Sequence, residues 1–422
     1  MDSQINGEQS IFAIKVTQQP PATSRLNPNA KYQRLDSIMK LLPLLAPFLP
    51  LADALATRGQ GGSQDPEAVA AKRILTLQSQ YQKKILDTIK PRKTGCTTST
   101  ILRRKEWGAL TKKERLNYID AVYCLASKPA KSPASLLPGA RSLFDDYVGS
   151  HALRSIYVHA DGNFLGFHRR FLHLYEKALR EECGYKGAQP YWDWTQSYQD
   201  PRNSTVLDGS PWSMGSNGIF IPNRGPTIVN VPVGDPVPFA PATGGGCVAS
   251  GPFTADKFQI HLGPVSYEPQ GPDGGYGYNP RCLSRDLSPI FSKNLRPTNV
   301  SKLLDGAADL GAFNLELDAA PGGVHGNGHF QMGTVALDVY TSPNDPVFWL
   351  HHAQVDRLWA IWQNLAPNRT YQVWGTGTNF NTPPSPNVTL DSLIDFGGVI
   401  SEPKPIREVV STIDDVHCFM YE

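Results

Sequence analysis

Six histidines carry the chemistry most readily seen in this chain. His151, His159 and His168 fall within one stretch, SHALRSIYVHADGNFLGFHRRFLHLYEKAL, and His325, His329 and His352 fall within GGVHGNGHF and SPNDPVFWLHHAQVDRLWAIW. Three neutral imidazoles with no thiolate or carboxylate interleaved suit zinc, copper, iron or nickel, and a repeated triad implies two ions. A lone buried histidine is usually a satisfied core residue, but two matched triads are not lone histidines. His325 and His329 stand four apart, on one face of a helical turn, the usual way for two side chains to grip one ion. Gly322, Gly323, Gly326 and Gly328 weaken helix propensity there, so the turn must be held by its surroundings, the metal included. Between His159 and His168, Ala160, Asp161, Gly162 and Asn163 break the chain, so a loop and a helix converge on the first ion.

The last ligand is ambiguous between His351 and His352, because adjacent imidazoles on a helix diverge by roughly 100° and cannot both enter one site. Phe164 stands four residues before His168 and Phe348 four before His352, so superposing the two Phe-xxx-His pairs favours His352 and leaves His351 as a packed or hydrogen-bonded neighbour. His173, His261 and His417 have no partner at ligand spacing and read as structural or surface residues.

The elements that must position these ligands are mostly helical. Apolar spacing predicts helices over Pro66–Ile89, Lys105–Leu125, Asn163–Cys183 and Pro346–Asn364, with Asp345 before Pro346 as a helix start. The stripe Phe164, Phe167, His168, Phe171, Leu172, Tyr175 puts His168 on a buried face. Tyr198 to Cys282 is dense in Gly, Pro, Asn and Ser and reads as ordered loops with a few short strands, rimming a site rather than forming the core. With 422 residues, 40% of them hydrophobic, the chain can bury a sizeable core. A net charge of +2 gives no electrostatic footprint for nucleic acid or an anionic membrane.

Near the start, Met39 to Ala56 (MKLLPLLAPFLPLADALA) has a lysine, an apolar run and a small-x-small end, the pattern of a signal peptide. The apolar run is short for a membrane span and contains Pro43, Pro47 and Pro50. Residues 1–38 then read as a spurious or disordered extension, and 57–422 as a single domain of a secreted, extracellular protein. Sequons at Asn203, Asn299, Asn368 and Asn387 agree with export, each weakly. So do six cysteines, all after the cleavage point and with no CxxC, which favours disulfides over a metal site. Pairing Cys96 with Cys418, Cys124 with Cys183 and Cys247 with Cys282 would tie the termini, neighbouring helices and one long loop; the alternative leaves one pair reduced.

The blocks together resemble the tyrosinase and catechol oxidase (polyphenol oxidase) family of type-3 copper proteins, shared with molluscan haemocyanin. The resemblance rests on the spacing of His159 and His168 followed by Arg169, on PYWDWT at 190–195, on His325 and His329, and on DPVFWLHHAQVDRLW at 345–359; it covers roughly Leu116 to Trp374. The chain is similar to the short, secreted fungal type, ending before the C-terminal domain that shields the site in long members. The resemblance implies a mainly α fold, a four-helix bundle around a dicopper centre with long loops and a few short β-strands. It implies two copper ions, each held by three imidazoles, that bind dioxygen between them and oxidise an o-diphenol to an o-quinone while oxygen becomes water. Asn344, Asp345 and Asp356 are candidates to anchor the imidazoles, with helix capping an equal alternative for Asp345. Trp192 and Trp194 read as core. Phenolic or catecholic small molecules and dioxygen are the expected partners of a monomer or weak dimer.

Five positions refine the expected activity. By position Glu316, nine residues before His325, matches the family glutamate that holds a water thought to help deprotonate monophenols, but the asparagine that usually follows the first histidine is Gly326 here. This tilts the reading toward catechols, with a monophenol-hydroxylating tyrosinase as the alternative. Val339 matches the family's gate position and its small side chain leaves the site open, while Phe330 could narrow it again. Tyr157 stands where many relatives place a cysteine that crosslinks to the next histidine. A haemocyanin-like oxygen carrier, or a metal-free or zinc-bound structural protein, are the readings of a different class; the first would need a covered site and multimeric chains.

Overall fold

The computed structural model describes residues 65–422 except 319–321, and the expected extension and signal peptide lie outside the described residues. The described chain is mainly helical. In order, α1 spans Pro66–Ile89, α2 Lys112–Ser127, α3 Leu143–Arg154, α4 Phe164–Cys183, α5 Pro289–Ser292, α6 Pro297–Gly306, α7 Leu310–Asp318, α8 Val324–Phe330 and α9 Val347–Asn364. Among the described residues no helix is long and apolar enough to cross a membrane.

Local sequence explains the starts and stops. Asp65 caps α1 by accepting from Glu67 N, with Pro66 in the first turn, where its missing N–H costs nothing. Its buried residues Ile74, Leu77, Tyr81, Ile85 and Ile89 form one stripe. The helix expected from Lys105 begins instead at Lys112, because Thr111 and Glu114 form a capping box. Before it, Glu106 turns back on its own backbone and holds Trp107–Ala109 in a 3-10 turn. A second capping box, Ser142 with Asp145, starts α3, which the sequence reading did not anticipate. α4 ends at Gly184 in a left-handed conformation (φ +68°) that glycine adopts without strain.

α9 is buried on all sides from Val347 to Gln363, which makes it the central helix, and it packs against α1, α4, α6 and α8. α4 lies between α9 and α2, and α2 also packs on α3. The α4–α9 seam is aromatic: Tyr175 stacks on Trp349 with centroids 3.7 Å apart, and Phe171 lies 4.7 Å from the same indole. A buried ionic network locks the seam. Arg169 Nε donates to Asp356 Oδ1 at 2.6 Å, Tyr421 Oη donates to Asp356 Oδ2 at 2.6 Å, and Arg104 Nη2 donates to Glu176 Oε2 at 2.7 Å. Tyr421 belongs to the strand Phe419–Tyr421, which runs parallel to Leu102–Arg104.

Residues 198–282 form loops braced by antiparallel two-stranded ribbons, Gly218–Phe220 with Gly245–Val248 and Thr227–Val229 with Val237–Phe239. The disulfides join Cys96 to Cys418, Cys124 to Cys183 and Cys247 to Cys282. These are the pairs expected from the sequence, and they tie the chain's end to residue 96, α2 to α4, and one loop to itself.

Candidate metal centre

The structure gathers His151, His159 and His168 into one group and His325, His329, His351 and His352 into another. His151 comes from α3, His168 from α4, His325 and His329 from α8, and His352 from α9, while His159 sits on the loop before α4. The two groups adjoin: the imidazoles of His168 and His352 stack with centroids 4.3 Å apart and planes 14° from parallel.

In the first group every Nδ1 is spent on a backbone carbonyl. His151 Nδ1 donates to Tyr340 O at 2.8 Å, His159 Nδ1 to Ser155 O at 2.9 Å and His168 Nδ1 to Phe164 O at 2.8 Å. A carbonyl only accepts, so each Nδ1 carries the proton and each Nε2 presents a lone pair. Burial disfavours the charged form, pushing His151 and His168 well below the ordinary histidine value and His159 down to about 4. Yet the Nε2 atoms of His151 and His168 face each other at 3.4 Å. Two opposed lone pairs repel unless a cation lies between them. Metal–imidazole bonds of about 2.0–2.1 Å at angles near 100–110° place donor nitrogens about 3.1–3.4 Å apart, so the group fits an ion.

The second group is built differently. His325 Nδ1 donates to Asp318 Oδ1 at 2.5 Å, and its Nε2 is buried with no partner. His329 and His352 meet through Nε2 at 3.1 Å. His351 is set apart by the Trp194 indole, whose N–H donates to His351 Nδ1 at 3.0 Å. Burial holds His351 neutral, and a neutral imidazole has one donor and one acceptor. With its acceptor occupied, its Nε2 carries the proton and offers no lone pair to a metal, which leaves His352. Gly328 makes room for this ring: a Cβ there would lie 2.0 Å from His351 Cε1.

The residues expected to anchor imidazoles do other work. Asp345 receives Arg285 Nε and Nη2 at 2.8 Å each and accepts from Val347 N at 2.9 Å, so it pairs with arginine and caps α9. Asn344 donates to Leu262 O, and Asp356 holds Arg169 and Tyr421. Glu316 requires correction as well. Its carboxylate pairs with Lys302 at 2.8 Å away from the histidines, because residues two apart on α7 point about 200° apart and Asp318 takes the inward face. Asp318, Trp194 and the carbonyl of Tyr340 are what sequence reasoning missed. Carbonyl anchors leave no trace in residue identity, whereas Asp318 is a carboxylate only seven residues before His325 and could have been weighed as its partner.

At the rim, Phe330 is held in an aromatic cluster, 4.9 Å from Phe239 and 5.5 Å from Phe291, and Val339 is half-buried with its carbonyl accepting from Ser155 Oγ at 3.1 Å. Gly326 lies under Phe330, and a Cβ there would come within 3.2 Å of that ring. Tyr157 lies beneath the Arg154 guanidinium, 4.9 Å from its ring centroid. Of the other histidines, His261 Nδ1 pairs with Asp145 at 2.8 Å, and His173 packs edge-on against His417 with centroids 4.9 Å apart.

Known proteins are similar to this chain across the same residues. The common central domain of tyrosinase matches residues 141–365, more than half of the chain and all six histidines. Tyrosinase P of Aspergillus terreus is 38% identical over 75% of this chain and 91% of its own, and an N-acetyl-6-hydroxytryptophan oxidase of Emericella nidulans is 37% identical over 78% and 94%. The solved structure of a polyphenol oxidase from Thermothelomyces thermophila superposes with a TM-score of 0.77 at 38% identity, covering 83% of this chain and 98% of that one. With two imidazole groups that each call for an ion and these likenesses across the same residues, the chain belongs to the tyrosinase family of dicopper oxidoreductases.

Proposed function

We propose that this protein oxidises o-diphenols to o-quinones with dioxygen, and that it hydroxylates monophenols slowly or not at all. His151, His159 and His168 would hold one copper ion, and His325, His329 and His352 the other. When bound, the copper pair supplies dioxygen activation and electron transfer. Two diphenols give up four electrons and four protons, reducing one dioxygen to two waters.

The observation that carries the preference for diphenols is the missing base beside His325. Gly326 has no side chain, and Glu316, the expected partner, sits on Lys302. A monophenol must lose its hydroxyl proton before an oxygen is added to its ring, and neither residue is placed to hold a water for that step. The two oxygens of Asp318 each already accept one hydrogen bond, from His325 Nδ1 and from Ala160 N. Val339, small and half-buried, and Phe330, packed on Phe239 and Phe291, are the residues that would set how closely a planar ring approaches His329 and His352. The burial that keeps the imidazoles neutral also excludes water.

Oxygen uptake by the copper-loaded protein with catechol and, separately, with tyramine tests the reading. Rapid uptake with catechol alone is expected. Comparable uptake with tyramine after a lag would make the protein a tyrosinase, and no uptake with either despite two bound coppers would favour an oxygen carrier. Secretion belongs to the same proposal and is supported by three disulfides. Of the sequons, Asn203, Asn368 and Asn387 are exposed and free to carry glycans, whereas the Asn299 amide lies on α6 and donates to Asn294 O at 2.8 Å. Glycopeptide mapping of secreted material should find the first three and miss Asn299.

A further inference from the structure

The geometry points to Asp318 as a positioning residue that yokes the two copper sites, holding a ligand of one and the backbone beside a ligand of the other. The inference rests on the dicopper reading above. Asp318 ends α7, and its two oxygens serve different triads: Oδ1 accepts from His325 Nδ1 at 2.5 Å, and Oδ2 accepts from Ala160 N at 2.8 Å. Ala160 directly follows His159. It is held in the left-handed region (φ +46°), which residues with a Cβ rarely adopt, so something outside the loop must maintain it. Asp318 fixes its N–H, and Phe380 N donates to its carbonyl at 3.2 Å. One turn back on α7, Asn314 Nδ2 donates to Asp161 O at 3.1 Å, a second link from the same helix to the same loop. The result is visible in the rings: His159 and His325, one from each triad, lie nearly parallel, 16° apart with centroids 6.3 Å apart.

The bond to His325 also has an electronic consequence. His151, His159 and His168 donate to neutral carbonyls, whereas His325 donates to a carboxylate, which raises the basicity of the ring and strengthens its Nε2 as a metal ligand. Asp318 therefore sets both the spacing of the two ions and the strength of the second site.

Asp318→Asn keeps the shape but has one accepting oxygen, so its amide must face either the His325 N–H or the Ala160 N–H, and one bond is lost. We would titrate copper into the full chain against a chelator of known affinity and record the electron paramagnetic resonance of the cupric protein. Adjacent cupric ions joined by a bridging ligand couple and lose their signal, whereas half-filled pairs show it. The expected result is a roughly 10–100-fold loss of copper affinity, with a mononuclear signal at limiting copper that the unaltered protein lacks. Asp318→Glu, which keeps the charge, should recover part of that affinity, and Glu316→Gln should match the unaltered protein. Two coppers bound to Asp318→Asn at unaltered affinity with no new signal would overturn the inference and leave the proposed function standing. So would equal losses in the Asn and Glu variants that track a lowered melting temperature of the metal-free protein, since the role would then be structural only. An unaltered protein that bound no copper would instead overturn the proposed function.

Discussion

The two histidine groups face the same task and meet it by different means. Each imidazole of the first group is oriented by a backbone carbonyl, those of Tyr340, Ser155 and Phe164. In the second group orientation comes from side chains and from missing ones: Asp318 aims His325, Trp194 turns His351 out of the ligand set, and Gly328 opens space for the displaced ring. A site held by backbone tolerates substitution nearby as long as the helix forms. One held by side chains fails one residue at a time.

The sharpest way to break this contrast is a pair of glycine replacements. Gly328→Ala puts a methyl 2.0 Å from His351 Cε1, and that ring cannot move without leaving Trp194. One copper per chain instead of two, by elemental analysis, and a fall of about 100-fold in catechol turnover are expected. Gly166→Ala, two residues before His168, meets Val409 Cγ2 at 3.5 Å and Ile394 Cδ1 at 3.6 Å, both ordinary contacts. Both coppers should remain, and unfolding in urea should show about 0.5–1 kcal/mol of added stability from better helix propensity.

Acid should loosen the first group by a predictable route. His159 is held at about 4 by burial, against about 6.5 in an unfolded chain. Between those values the unfolded state binds the proton and the folded state does not, so this contribution to stability is whole above pH 6.5 and declines as pH falls toward 4. The metal-free protein should lose on the order of 3 kcal/mol from this residue across that window, read by urea unfolding at pH 7 and pH 4.5. His159→Phe should flatten that part of the profile.

Smaller effects follow from single hydrogen bonds. Trp194→Phe strands the buried His351 Nδ1 and should cost about 1–3 kcal/mol while weakening copper at the second site alone. Ser155→Ala removes hydroxyl bonds to His151 O and Val339 O but keeps the carbonyl that orients His159. It should cost about 1 kcal/mol and leave two coppers bound, as elemental analysis would show.

The same division explains what the sequence disclosed. α1, α4 and α9 were legible because their buried faces are apolar at helical spacing. α3 was not, because Asp145 and Asp146 occupy buried positions where they accept from Ser142 N and Lys131 N, and buried acids blur an apolar stripe. The histidines announced themselves by type and spacing, and the Phe-xxx-His comparison chose between His351 and His352 before the Trp194 bond supplied a physical reason. What surrounds the histidines was misread. Asn344 and Asp356 are the right residue types in the right neighbourhood, but the Leu262 carbonyl and Arg169 claimed them, while Asp345 takes the capping role that stood beside the anchoring one. Glu316 matched by counting residues, and the phase of α7 turned it to solvent.

The division of roles between His351 and His352 is tested most directly by counting copper in His351→Gln and His352→Gln, purified and loaded identically. Glutamine at 351 can still accept the Trp194 N–H, so that variant should keep two coppers per chain, while His352→Gln should keep one. One copper in the first and two in the second would contradict the account, placing His351 on the metal and removing the side-chain logic of the second site.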